Sequence, residues 1–200
     1  MKVSKNILIL CEDEKSSLFY LDSFKKDEKL KRELAAVSID IYQPKDFSPI
    51  GLVEEAKRRK KAAKRERNKF DEIWVVLDRD GHANMAQALE RARHSGINVA
   101  LSVICFEYWI LLHFERTTKP FKKCDDVISH IKKNHFADYD KSSNAYLSLS
   151  SNTANAIKNG EWLINQVQID IDRGASPQEL GAYTNLHLLV RKLFEPKKFL

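Results

Sequence analysis

Two short apolar runs that end in acids constrain this chain more than any other feature. Asn6-Ile7-Leu8-Ile9-Leu10-Cys11 leads straight into Glu12-Asp13-Glu14, and Ile73-Trp74-Val75-Val76-Leu77 leads straight into Asp78-Arg79-Asp80-Gly81. Neither run leaves room for a polar face. A strand that alternates apolar and polar residues has one face in water, whereas a strand without alternation is covered on both faces. The segments between such runs then have to be helices that cover the sheet.

The rest of the chain agrees. Lys15 to Leu34 carries Leu18, Leu21, Phe24 and Leu30 at roughly helical spacing, which predicts a helix. Val37 to Tyr42 alternates and predicts a half-buried strand. Ser48-Pro49 opens a long helix reaching about residue 70, with a thin apolar stripe and basic residues elsewhere. Ala83 to His94 predicts another helix, with Gly96 just past its end. Ile97 to Val103 predicts a strand, and Cys105 to Phe114 a short buried helix. Helices are then expected over 124–134, 151–171 and 177–193. The order βαβαβαβ predicts an α/β fold with a four-stranded parallel sheet over residues 1–115 and a helical part over 116–200 packed on it. Ligands of such sheets sit at the carboxyl ends of the strands.

Composition bounds the setting. The chain has 200 residues, of which 31% are charged, and a net charge of +6. It has no apolar run long enough to cross a membrane. The apolar stretch near the N-terminus is too short for a signal peptide. Cys11, Cys105 and Cys124 are distant and form no CxxC pair, so neither zinc nor a disulfide framework is expected, and a reducing cytoplasm is the natural setting. Lys57, Arg58, Arg59, Lys60, Lys61, Lys64, Arg65 and Arg67 make the long helix strongly basic. A run of this kind is either a solvated helix face or a contact for a polyanion such as DNA or RNA.

Glu12, Asp78 and Asp80 are the candidate ligands of a hard cation. Residues two apart on a continued strand point the same way, so Asp78 and Asp80 can face one ion. Carboxylate oxygens suit Mg²⁺ or Mn²⁺. The competing reading has acids after strands capping the following helices, and for Asp13 and Glu14 that reading is preferred. His113 is expected to be a buried, hydrogen-bonded histidine, with proton transfer as its alternative role. Trp109 and Phe106 are expected in the core, and Lys15 either contacts a phosphate or is an exposed helix lysine.

A strand followed by Glu12, then a strand followed by Asp78-Arg79-Asp80, resembles the Toprim fold. More specifically, Trp74 to Asp80, Val99 to Ser102, and Cys105-Phe106-Glu107-Tyr108-Trp109-Ile110-Leu111-Leu112-His113-Phe114 resemble RloB-like proteins. Tyr183 to Val190 does so more weakly, and the likeness runs from about Asn6 to Leu193. The resemblance implies a Toprim-type nuclease of bacterial anti-phage defence, acting in abortive infection and often encoded beside an ATPase partner. It implies that Glu12 is a general acid or base and metal ligand, that Asp78 and Asp80 bind Mg²⁺, and that Glu107 completes or orients the site. The family shows Glu-Gly-Glu after the first strand, where this chain has Glu12-Asp13-Glu14. The chain is expected either as a single copy or as a homo-oligomer; the alternatives in function are a non-catalytic subunit that binds nucleic acid or an ATPase, and a phospho-acceptor receiver domain. Against the receiver stands the lack of a clear lysine after the last strand.

Overall fold

The computed structural model describes residues 5–13, 15–28, 30, 37–42, 46–79, 82 and 84–194. The expected positions Glu14 and Asp80 lie outside them. Strand β1 covers Lys5–Cys11, β2 Val37–Tyr42, β3 Glu72–Asp78 and β4 Asn98–Val103. Their order is β2-β1-β3-β4, all parallel, with Cys11 paired to Val76 and Asp78 to Ser102. The continuous apolar runs behave as expected: Leu8, Ile9, Leu10, Val75 and Leu77 are fully buried. At about 25 cal/mol per Å² of apolar surface, each such side chain contributes roughly 1.5–3 kcal/mol.

Helix α1 spans Ser16–Lys26, α2 Pro49–Arg65 and α3 Met85–His94. α1 is shorter than its apolar spacing suggests, because Asp27 is extended. α2 starts where Ser48-Pro49 places it, with the Ser48 side chain accepting from the Gly51 amide. It stops five residues before the expected end. Arg67 takes a left-handed conformation (φ 59°), and the Asn68 amide returns to the Ala63 carbonyl. Gly96, also left-handed, follows α3 as expected.

Helix α4 (Glu107–Leu111) is wholly buried. α5 covers Cys124–Asn134, α6 Tyr146–Leu149, α7 Thr153–Asp172 and α8 Leu186–Phe194. Here the structure corrects the sequence reading. The helix expected over 177–193 is three elements: a 3-10 turn at Pro177–Glu179, a strand β5 at Tyr183–Thr184, and α8. β5 adds an antiparallel fifth strand to the edge of β4. Asn185 extends this ladder with its side chain, accepting from the Leu101 amide at 2.7 Å and donating to the Val99 carbonyl at 3.0 Å. Two residues are too few to show a period of two, so the strand left no pattern in the sequence. The C-terminal part is therefore no purely helical addition. Leu186, Leu189, Val190 and Leu193 share one core with the sheet, and α7 approaches α8 so closely that a Cβ on Gly160 would meet His187 at 2.8 Å.

A second correction concerns the cysteines. Cys105 and Cys124 form a disulfide, with Cα atoms 5.7 Å apart. They are 19 residues apart in the chain and meet because α4 and α5 both begin beside the same pocket. Cys11 is free and buried. Among the described residues, no helix is long and apolar enough to cross a membrane.

Candidate functional site

Chain order puts β1 inside the sheet, between β2 and β3. The connection after β1 runs to β2 on one side, and the chain then returns to β3 on the other. The carboxyl ends of β1 and β3 therefore flank the point where strand order reverses, the usual ligand crevice of open parallel sheets. Glu12 follows one strand and Asp78 ends the other.

These two acids are in contact. Glu12 Oε2 accepts from the Asp78 amide at 2.7 Å, and the Glu12 amide donates to the Val76 carbonyl at 3.2 Å. Glu12 Oε1 lies 2.6 Å from Nε2 of His82. A pocket of about 330 Å³ opens beside them, lined by Asp13, Lys15, Ser16, Asp78, Glu107 and Lys141 together with Cys105, Phe106 and Cys124. Glu107 is buried at its wall. Its Oε1 accepts from the Ser16 hydroxyl (2.7 Å) and the Tyr139 hydroxyl (3.1 Å), and Cys124 Sγ lies 3.1 Å from its Oε2. Asp13 caps α1 as expected, accepting from the Lys15 and Ser17 amides, yet it also faces the pocket.

The electrostatics follow from this crowding. Burial, reinforced by the charges of Asp13, Glu107 and Glu12, holds the Asp78 carboxyl well above the usual carboxylate range, and the Phe106 amide only partly offsets it. Burial also raises Glu12, against the lowering effect of the Asp78 amide and of His82. Such an assembly carries more negative charge than its own hydrogen bonds neutralise, which is the condition a cation relieves. Asp78, Asp13 and Glu12 do not draw in to a cage: among the described residues, one ligand set with all atoms within 4.8 Å joins Glu107 to Cys105 and Cys124 in the pocket wall, and the other lies away from the pocket. Mg²⁺ tolerates this, since it keeps several waters and usually takes one or two carboxylates.

Sequence reasoning missed His82, Ser16, Tyr139 and Lys141. His82 carried a signal, standing four residues past Asp78 in the loop at the strand end. Ser16 stands four residues past Glu12 but carried no distinguishing signal, and Tyr139 and Lys141 come from a distant segment and carried none. His113 is the buried, satisfied histidine that was expected. Its Nε2 lies 2.8 Å from the Tyr20 hydroxyl and its Nδ1 3.1 Å from the Trp109 carbonyl. Phe106 and Trp109 are core.

The basic helix is not brought to the acids. A helix between parallel strands runs back from the carboxyl edge of the sheet to the amino edge. α2 therefore starts at the carboxyl edge of the sheet and ends at the opposite edge, about 25 Å away at 1.5 Å per residue. There Lys60 donates to the Ser95 and Gly96 carbonyls beside the start of β4. Lys57 pairs with Glu54, and Arg58 and Arg59 pair with Glu55. The Arg59 guanidinium also stacks 3.2 Å over the Tyr42 ring. Lys61, Lys64, Arg65 and Arg67 are exposed and make no ion pair among the described residues.

Against protein-family models, the one described as RloB-like protein matches residues 7–193. The chain belongs to the RloB-like family. The match spans both strand-end acids, α4 and α8. No curated protein matches. Among solved structures, the chain has a slight likeness to an ABC transporter periplasmic solute-binding protein from Actinobacillus succinogenes with bound D-allose. Identity is 12%, the TM-score is 0.35, and the match covers 82% of this chain and 66% of that one. This RloB-like chain thus spans just under two thirds of that protein's length, and a likeness so slight carries no argument about fold or function.

Proposed function

We propose that this RloB-like chain is a Mg²⁺-dependent nuclease of Toprim type, hydrolysing phosphodiester bonds of DNA or RNA as an effector of anti-phage defence. One observation carries the reading. Asp78 at the end of β3, Asp13 just past β1 and Glu107 just past β4 line one pocket that also presents Lys15 and Lys141, and Glu12 accepts from the Asp78 amide beside it. Membership of the family supports it, as does the α/β sheet with acids at its carboxyl edge.

The residues divide the work. Asp78, with Asp13 beside it, is placed to hold a hydrated Mg²⁺ or Mn²⁺ ion; the role proposed for Asp80 concerns a residue outside the described ones. When bound, the ion supplies charge neutralisation at the phosphate and a more acidic water. Glu12 and His82, 2.6 Å apart, form a proton-transfer couple at hydrogen-bond distance. Glu107, fixed by Ser16 and Tyr139, positions the wall, and Lys15 and Lys141 face the phosphate.

The test is cleavage of single- and double-stranded DNA, RNA and tRNA with Mg²⁺ or Mn²⁺. Asp78→Ala and Glu12→Gln should each lose roughly 100-fold or more, the usual cost of removing one charge-stabilising group. Activity untouched by both substitutions refutes the assignment. A second reading rests on the engagement of both Glu12 oxygens by the Asp78 amide and His82. It makes the chain a non-catalytic subunit that binds nucleic acid or an ATPase partner, and its mark is binding without cleavage in every metal.

The position of the basic end makes a separate prediction. Reversing Lys61, Lys64, Arg65 and Arg67 to Glu should weaken binding of long duplexes. The slope of log affinity against log salt should become shallower by about 0.9 for each phosphate that is no longer neutralised. Cleavage of an oligonucleotide too short to span about 25 Å should be unchanged. Equal weakening on short and long substrates would place this end in the active cleft after all.

A further inference from the structure

A second cluster of ligating side chains lies away from the acids. We propose that Glu115, His130 and His135 form a site for a divalent transition metal of the Zn²⁺ class, clasping the segment after α4 to the carboxyl end of α5. The proposal goes beyond the nuclease reading and does not depend on it.

The geometry is that of a three-ligand site. Each residue offers one ligand atom, and all three atoms lie within 4.8 Å of one another. His130 Nε2 faces Glu115 Oε1 at 3.2 Å, and His135 Nε2 faces Oε2 at 2.8 Å. A small adjustment that opens these two contacts to the roughly 3.3–3.6 Å separation of tetrahedral ligands brings two imidazoles and a carboxylate around one ion at the roughly 2.0–2.2 Å bonds zinc takes. Two nitrogens and one oxygen select zinc, cobalt or nickel over Mg²⁺, which takes oxygen donors. The fourth tetrahedral position stays open to water or an incoming ligand.

The rings are already oriented. His135 stacks on Phe114, with centroids 5.2 Å apart and planes within 8°. His130 stands edge-on to Phe121, centroids 5.6 Å apart. α5 supplies His130 from its last turns, and His135 terminates it. Support behind the ligand is present as well. The Asn134 side-chain amide lies 3.1 Å from His130 Nδ1. The same Asn134 Nδ2 donates to the His130 carbonyl at 2.9 Å, a bond that stays when Nε2 coordinates and the ring proton moves to Nδ1. Exposed Lys119, whose Nζ is 3.4 Å from the same Nδ1, then turns to solvent. Without metal, the cluster is two histidines hydrogen-bonded to one carboxylate, and the experiment separates these states.

The full chain is stripped with chelator and titrated with Zn²⁺, and separately with Co²⁺, whose visible absorption reports coordination by nitrogen. The titrations use reducing buffer, which opens the Cys105–Cys124 disulfide, and the Asp78→Asn background, which weakens competition from the acidic pocket; Cys124→Ser serves as a thiol control. One equivalent of metal should bind, resist excess Mg²⁺, give the Co²⁺ spectrum and raise the melting temperature. His130→Asn, Glu115→Gln and His135→Asn should each weaken Zn²⁺ binding at least tenfold. His135 ends its helix, so His135→Asn should keep the native circular dichroism and separates a missing ligand from a misfolded chain. Absence of a Co²⁺ spectrum, or unchanged Zn²⁺ affinity in folded His135→Asn, overturns the site. Loss of binding only in Cys124→Ser assigns the metal to the cysteines and overturns it equally.

Discussion

Asp78→Asn is expected to melt at a higher temperature than the parent chain in metal-free buffer and, under the proposed nuclease function, to lose the response to Mg²⁺. Asn has the same shape as Asp and can still accept from the Phe106 amide that faces this side chain. It carries no charge to be desolvated or repelled by Asp13, Glu107 and Glu12. Relief of such functional strain typically stabilises by about 0.5–2 kcal/mol, and each kcal/mol moves the melting temperature of a chain this size by roughly 2–4 °C. Saturating Mg²⁺ should raise the melting temperature of the parent and leave the variant nearly unmoved, because a ligand stabilises only the state it binds. Calorimetry with and without Mg²⁺ measures both effects. A variant less stable than the parent without metal would show that the Asp78 charge is already compensated within the protein, and the argument for a cation there would fall.

Stability should drop steeply between pH 7 and pH 5, and two buried histidines should account for much of it. Burial pushes both His113 and His187 down to about 4 from an ordinary value of 6.5. Below pH 6.5 the unfolded chain binds protons that the folded chain refuses. The stabilisation is therefore fully present above 6.5 and is lost as pH falls towards 4. From pH 7 to pH 5 the loss is about 2 kcal/mol for each histidine. Asp78 and Glu12 act in the opposite sense. Their carboxyls are raised, so the folded chain binds the extra proton and gains stability as pH falls through their folded values. Urea unfolding at pH 7 and pH 5 should show His113→Gln and His187→Gln each flattening the slope. Slopes equal to the parent's would mean that the folded chain admits protons at these rings.

How much of this was legible differs from element to element. β1 and β3 could be read because burial on both faces forces continuous apolar sequence, and the start of α2 because Ser48-Pro49 satisfies the demands of a helix N-terminus. Glu12 and Asp78 could be read because an acid directly after a buried strand has few other reasons to stand there. β5 could not, since Tyr183–Thr184 is too short for a period and is held by Asn185 and the edge of β4. The disulfide, the Ser16–Glu107–Tyr139 hydrogen bonds and the Glu115–His130–His135 cluster join segments remote in sequence, and nothing local records such meetings. The basic run was visible as charge, but its place was not, because charge carries no direction until the helix is set against the sheet.

Local sequence, then, determined most of the strands and helices, that the four main strands run parallel, and that acids stand at their carboxyl edge. These depend on periodicity, burial and backbone chemistry within a few residues. Tertiary structure alone decided that Glu12 bonds to the Asp78 amide and His82, that Glu107 closes the pocket, and that the exposed end of the basic helix lies at the far edge. Those outcomes depend on strand order and helix direction, through which packing of the whole core brings distant side chains together or keeps them apart.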